Sequence, residues 1–259
     1  MQWLKRVIKG AVSGSKWNLP ALRLSIPAKR GMHFSEEVFI NSAPPRSVMP
    51  TDVNPLLQLF NSHKEGPGIW KWMHYFDIYH RHFSKFVGRD VHIMEIGIYS
   101  GGSLQMWKDY FGNNCRVYGI DIEKACRVYE SDGITVLIGD QSDRTFWKMV
   151  KESVPRVDIL IDDGGHLPEH QIISLEEMLP HLSPGGVYLC EDIHGAPNYF
   201  ASYVSGLAAY INSGRLSSFS ANIDSLHLYP FVVVLEKCDQ ARTELKTEKH
   251  GTQWQPFFN

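Results

Sequence analysis

The string IDDGGHLPEH, residues 161–170, ends a run of branched apolar residues in two carboxylates, two glycines and a histidine. A second apolar run, in PGGVYLCEDIH (184–194), ends in Glu191 and Asp192. Each run has the length of a strand, and residues 168–182 between them read as a helix, so the two strands close one right-handed parallel crossover. As sheet neighbours, their carboxyl ends lie about 5 Å apart, which brings Asp163 beside Glu191 and Asp192. Three carboxylates in a half-buried crevice repel one another, and each tends to protonate unless a cation neutralises them. All-oxygen donors suit Mg²⁺, or Mn²⁺ as a substitute, better than zinc. Solvated loop acids, or acids paired with Lys or Arg, are the alternatives, and no basic residue flanks either string closely. His166 and His170 have the i, i+4 spacing of a zinc pair, but the H-E-x-x-H order is missing and Pro168 starts the helix after His166.

Three upstream strands end in residues suited to a nucleoside. EIGIYSGGS sets out Glu95, Gly97, Gly101 and Ser103; it is neither G-x-G-x-x-G nor a P-loop. Its glycines let backbone approach a ligand without interference from a Cβ. In GIDIE, Asp121 stands 24 residues after Gly97, where an acid accepts hydrogen bonds from ribose hydroxyls. In GDQSD, Asp140 or Gln141 is placed to meet an adenine edge. The alternative for any one of these acids is a simple cap on the loop after its strand.

Positioning these residues takes an alternation of strands and helices. Strands are expected at 91–97, 116–122, 134–140, 157–163 and 185–192, with helices at 103–111, 143–153, 168–182 and 198–213. Residues 225–237 read as two closing strands broken at Tyr229-Pro230. Near-continuous Val/Ile/Leu runs fit parallel strands covered on both faces. The fold class is therefore α/β: a Rossmann-like, doubly wound, mostly parallel seven-stranded sheet with helices on both faces. In such sheets ligands bind beyond the carboxyl ends of the strands. Ahead of the sheet, GIWKWMHYFDIYHRHFSKF (68–86) spaces Ile69, Trp72, Met73, Phe76, Tyr79, Phe83 and Phe86 as an amphipathic helix of about five turns, its aromatic stripe turned to the core. Residues 36–60 are proline-rich and read as a linker. The expected division is a basic N-terminal arm and linker (1–64), the α/β domain (65–238) and a polar tail (239–259).

At 259 residues, 43% hydrophobic and 21% charged, the composition is that of a globular chain. Cys115, Cys126, Cys190 and Cys238 lack any C-x-x-C pairing and read as reduced thiols. Residues 1–35 hold seven Lys and Arg and no acid, which leaves nineteen basic against twenty-eight acidic residues in the remainder, a net charge of −9. That acidic body argues against general nucleic-acid binding. No apolar run approaches the roughly 20 residues of a membrane span. The segment 1–35 lacks a secretory core, so a cytoplasmic location is expected, while its basic, serine-containing character leaves organelle targeting open. The basic arm and the aromatic helix could each pack against a neighbour, which leaves a homo-oligomer open.

Taken in order, E-x-G-x-x-x-G-G-S, GIDI and GDQ resemble the class I S-adenosylmethionine-dependent methyltransferases. The strings GGSLQMW, GDQSD, IDDGGH, HQI, PGGVYLCEDIH and HLYPFVVVLEK resemble more closely the metal-dependent macrolide-sugar O-methyltransferases of macrocin and mycinamicin type, a pattern shared with cephalosporin-hydroxylase-like proteins. The resemblance covers about residues 68–238. It implies an S-adenosylmethionine- and Mg²⁺-dependent O-methyltransferase acting on a hydroxyl of a sugar or glycosylated natural product. It implies metal ligation by Asp163, Glu191 and Asp192, a general base at His166, and cofactor contacts from Glu95, Gly97, Gly101, Ser103, Asp121, Asp140 and Gln141. Asp162 faces the other way on the pleat and supports the cofactor's methionine end or the loop. A hydroxylase-like or accessory protein keeping both sites, or a binding scaffold, are the alternatives, since a fold alone does not decide function.

Overall fold

Branched and aromatic runs alternate with amphipathic segments, and the chain folds accordingly. The computed structural model describes residues 30–32, 34, 53–194, 198–214 and 216–251. Strands β1 (His92–Ile96), β2 (Arg116–Asp121), β3 (Ile134–Ile138), β4 (Ile159–Asp162), β5 (Val187–Cys190), β6 (Ile223–Tyr229) and β7 (Val232–Lys237) form one sheet in the order β3-β2-β1-β4-β5-β7-β6. The first five are parallel, and β7 runs antiparallel to both β5 and β6. The chain divides into two compact units, Met1–Thr51 and Asp52–Asn259, and the sheet lies in the second.

The helices are α1 (Pro55–Ser62), α2 (Tyr75–Phe83), α3 (Gly102–Phe111), α4 (Arg144–Ser153), α5 (Pro168–Met178), α6 (Tyr199–Ile211) and α7 (Ser218–Asn222). Alternate strand residues face opposite sides. Ile93, Val117, Ile161 and Leu189 pack with Leu56, Tyr79, Trp107 and Phe111 of α1–α3. Met94, Ile120, Leu160 and Tyr188 pack with Trp147, Met178 and Phe200 of α4–α6. Two cores, one on each face, hold the sheet rigid. Strand order reverses between β1 and β4, so the crevice for a ligand opens beyond Ile96 and Asp162, which are paired in register. The four cysteines are free thiols. Among the described residues, no helix is long and apolar enough to cross a membrane.

Three expectations need correction. The linker reading of 36–60 fails at its end, where Pro55 opens α1 and the Asn54 side chain accepts from the Leu56 and Leu57 amides; an Asn-Pro pair is a helix start as well as a break. The five-turn helix over 68–86 is shorter: α2 spans Tyr75–Phe83, followed by a 3₁₀ turn at Ser84–Phe86. Residues 68–74 leave the helical path, with Lys71 and Trp72 bonded to acids beyond the strand ends, and Trp72 and Met73 are 50% and 55% exposed rather than core. The short helix α7 gives no periodic signal of its own and was not expected. The basic arm, most of the linker and residues 252–259 lie outside the described residues.

Candidate active site

Beyond the carboxyl ends of β1–β5 lies a cavity of about 840 Å³, within the range of small-molecule sites. Glu95, Gly97, Ser103, Asp121, Asp140, Gln141, Asp163, His166, Glu191 and Asp192 all line it. Gly101 and Asp162 do not. Gly101 caps α3 with φ +72°, and a Cβ there would run into the Tyr129 ring. Gly97 has φ +83°, and a Cβ on it would collide with the Asp163 carbonyl oxygen. The loops after β1 and β4 therefore pass in direct backbone contact, which only glycine permits.

One end of the cavity is built from acids held by backbone. Asp121 accepts from the Tyr99 amide at 3.0 Å and the Glu123 amide at 2.9 Å. Asp140 accepts from the Ser142 amide at 2.8 Å, and that bond holds its carboxyl below the usual range. Gln141 spends its amide on the wall: Nε2 donates to Asp162 at 3.0 Å and Oε1 accepts from the Gly165 amide at 2.6 Å. Asp162 is fully buried beneath this loop, where it accepts from Ser174 and from Tyr188 Oη at 3.0 Å. Burial pushes its carboxyl upward.

The other end gathers buried charge. Lys71 Nζ lies 2.6 Å from Asp163 Oδ2, 3.1 Å from Glu191 Oε2 and 3.2 Å from Glu95 Oε1, with its side chain only 4% exposed. Burial opposes its charge, but Asp163, Glu191, Tyr79 and Glu95 outweigh it and raise the ammonium well above the usual lysine range. For Glu191, burial and then the Asp163 charge push the carboxyl well up. Tyr79 Oη donates to Glu191 at 2.5 Å, while Tyr75 Oη and Trp72 Nε1 donate to Asp192 Oδ1 at 2.6 and 3.1 Å. Pairing with a basic residue, an alternative weakened by the lack of any Lys or Arg flanking either string, is therefore what Asp163 and Glu191 find in Lys71. Lys71 is 92 residues from Asp163 in sequence and meets it because 68–74 folds down over the strand ends. A lone lysine within the aromatic string IWKWMHY was the one available signal, and sequence alone did not aim it.

His166 Nε2 lies 3.9 Å from Asp163 Oδ1 and 3.8 Å from Asp192 Oδ2. One donor atom from each of these three residues falls within 4.8 Å of the others, a group able to hold a metal ion. Two hard carboxylates there fit Mg²⁺ or Mn²⁺. Glu191 is not in that group, because its carboxylate is drawn to Lys71 and Tyr79. Glu95 is fully buried: its Oε2 accepts from Ser103 Oγ at 2.6 Å and Trp107 Nε1 at 3.1 Å, and its Oε1 faces Lys71 Nζ at 3.2 Å. Among the described residues, four other than glycine have positive φ: Tyr99, His166, Asp192 and Phe231. The first three line the cavity, and the Phe231 ring packs against Trp72 and His194 at its rim. Strain concentrated in this way marks a working site.

Residues 94–193 match the family described as a methyltransferase domain, Methyltransf_24. The chain is 36% identical over 184 residues to the demethylmacrocin O-methyltransferase of Streptomyces fradiae, a match covering 68% of this chain and 44% of that protein. It is 31% identical over 201 residues to the 8-demethyl-8-alpha-L-rhamnosyl tetracenomycin-C 2'-O-methyltransferase of Streptomyces olivaceus, covering 67% and 53%. Among solved structures, the MycE methyltransferase from the mycinamycin biosynthetic pathway, in complex with Mg, SAH and mycinamycin VI, superposes with a TM-score of 0.60 at 28% identity, covering 71% of this chain and 53% of that one. The chain thus spans about half the length of the relatives it matches. Motif order, sheet topology and sequence identity agree, and the α/β unit of this chain belongs to the methyltransferase domain family, with sugar O-methyltransferases of natural-product pathways among its relatives.

Proposed function

We propose that this chain transfers a methyl group from S-adenosylmethionine to a hydroxyl of a sugar or glycosylated natural product, assisted by Mg²⁺ or Mn²⁺. The observation that carries this reading is the juxtaposition of His166 Nε2 with Asp163 and Asp192, at 3.9 and 3.8 Å, on the wall of a cavity whose far end presents Asp121 and Asp140. The relatives are named as O-methyltransferases acting on such sugars, which supports the same class of acceptor. When bound, the cofactor supplies an electrophilic methyl group, and the divalent ion supplies a Lewis acid for the acceptor oxygen.

The protein's own residues do the rest. Asp121 accepts from ribose hydroxyls and Asp140 meets the adenine edge, with Glu95, Gly97 and Ser103 among the cofactor contacts. Asp163 and Asp192 hold the metal, with the charge of Glu191 completing the set. A sugar hydroxyl is a poor nucleophile at neutral pH because it is almost wholly protonated. His166 Nε2 takes that proton as the oxygen attacks. Trp72 and Tyr75 fix Asp192, Tyr79 and Lys71 fix Glu191, and Asp162 with Gln141 keeps the His166 loop in place. Holding oxygen and methyl in line supplies much of the remaining acceleration.

The test is transfer of label from methyl-labelled S-adenosylmethionine to a panel of free sugars, nucleotide sugars and glycosides. Label is expected on one class of acceptor, to be lost with EDTA and to return with Mg²⁺. His166→Ala is expected to lower kcat by ~10²–10⁴-fold while calorimetric cofactor affinity stays within a few-fold. No cofactor binding with or without Mg²⁺ sinks the reading; cofactor binding with every acceptor left unmethylated points to a binding scaffold instead.

A further inference from the structure

A second convergence of donors lies away from the cavity, at the antiparallel edge of the sheet. His82 in the last turn of α2, His227 on β6 and Glu236 on β7 each bring one nitrogen or oxygen to within 4.8 Å of the other two. Among the described residues, the only other such group is the one at Asp163. His82 is 3% exposed. Its Nδ1 lies 2.5 Å from Glu236 Oε1 and its Nε2 lies 2.9 Å from Tyr229 Oη. The His227 ring faces it with centroids 4.6 Å apart, and His227 Nε2 lies 2.9 Å from Ser225 Oγ.

A proton shared between His82 and Glu236 explains that one contact but not why a second imidazole is packed against the first. The packing of the second ring places two nitrogen donors beside one carboxylate oxygen, an arrangement the His82–Glu236 hydrogen bond does not itself require. Lys85 Nζ sits 2.7 Å from Glu236 Oε2, which leaves Oε1 turned toward the two rings. Lys85, and Arg81 at 3.4 Å from Tyr229 Oη, disfavour a weakly bound cation. A metal with strong bonds to nitrogen tolerates them.

We propose that His82, His227 and Glu236 form a Zn²⁺-class site that clamps α2 onto the β6–β7 hairpin. Two nitrogens and one carboxylate oxygen are ligands for zinc, whereas Mg²⁺ takes oxygens. The clamp has a consequence for the cavity, because α2 also carries Tyr75 and Tyr79, whose hydroxyls fix Asp192 and Glu191. Holding the carboxyl end of this helix holds its register above those two acids.

The test uses the untagged full chain, stripped with chelator and then titrated with Co²⁺ and Zn²⁺ in millimolar Mg²⁺, which keeps the oxygen-rich site occupied. The expected result at about pH 7.5 is about one equivalent of Co²⁺ with visible d–d absorption, displaced by Zn²⁺, together with a higher melting temperature in Zn²⁺. His227→Ala and Glu236→Gln are each expected to weaken Zn²⁺ binding by more than about tenfold and to abolish the thermal shift. Neither residue is fully buried, and circular dichroism verifies that each variant is folded. His166→Ala is expected to leave Co²⁺ and Zn²⁺ uptake unchanged. Absence of uptake, uptake unaffected by both edge variants, or uptake lost in His166→Ala overturns the proposal.

Discussion

The two ends of the cavity neutralise their acids in opposite ways. At one end, Asp121 and Asp140 remain accessible and accept from backbone amides no more than 22 residues away. At the other end, Asp163 and Glu191 share one buried lysine that stands 92 and 120 residues distant. Water and amides can satisfy the first pair whatever happens nearby. The second pair depends on side chains brought from elsewhere in the chain, Tyr79 Oη on Glu191 and above all Lys71, the buried cation that both acids share. The Asp121–Asp140 end thus carries its charge at little cost to the fold, while at the carboxylate end the charge of the acids and the stability of the fold are one problem.

Removing the lysine is the sharpest way to break that contrast. Lys71→Met leaves Glu95, Asp163 and Glu191 buried without their cation, and losing one partner of a buried pair costs about 3–5 kcal/mol. Urea unfolding without metal is expected to show a loss of that size. Mg²⁺ at millimolar concentration is expected to restore part of it, since a ligand that binds only the folded state stabilises by mass action. A variant as stable as the parent without metal means that the carboxylates are protonated rather than paired, and that the ion pair is not what holds 68–74 over the site.

The same contrast explains what the sequence revealed and what it withheld. The placement of Asp121 and Asp140 on the cavity wall was legible because each acid ends or closely follows a strand and bonds within its own or a neighbouring loop. β4 and β5 were legible as neighbours because a short right-handed crossover allows little else, and pairing of Asp162 with Cys190 in register follows from it. The segment 68–74 was not legible. Its aromatic spacing suits a helix, yet the contacts of Lys71 and Trp72 with distant acids outweigh local preference, as tertiary context routinely does. Gln141 shows the limit in one residue. Its position after β3 was evident, but the choice of Asp162 and Gly165 as partners depends on a loop whose path only the folded chain defines.

Asp121→Ala sharpens the comparison from the other side. Loss of an acceptor for ribose hydroxyls is expected to weaken cofactor affinity by roughly tenfold, within the ordinary range for one charge-assisted hydrogen bond. The denaturation midpoint is expected to move far less than in Lys71→Met, because the freed Tyr99 and Glu123 amides lie where water can replace the carboxylate. Calorimetry with S-adenosylmethionine measures the first quantity and urea unfolding the second. Equal losses of stability in the two variants would erase the distinction drawn between the two ends.

Glu236 is the intermediate case: half-buried, ion-paired and remote from the cavity. Its folded pKa, at about 2, lies below the ordinary 4.5 because of its bond to His82 and, after that, Lys85. The stability it contributes is therefore present above about pH 4.5 and is lost as pH falls toward 2. Discounted for solvent screening, that contribution is about 1 kcal/mol. In metal-free protein, Glu236→Gln is expected to fall below the parent by this amount in urea unfolding at pH 6, and the gap is expected to narrow at pH 3. A gap that stays constant across that range would trace the loss to packing rather than charge. The cost of disturbing an acid in this fold would then follow its burial and not its partner, which removes the reason for treating Lys71 as the keystone of the carboxylate end.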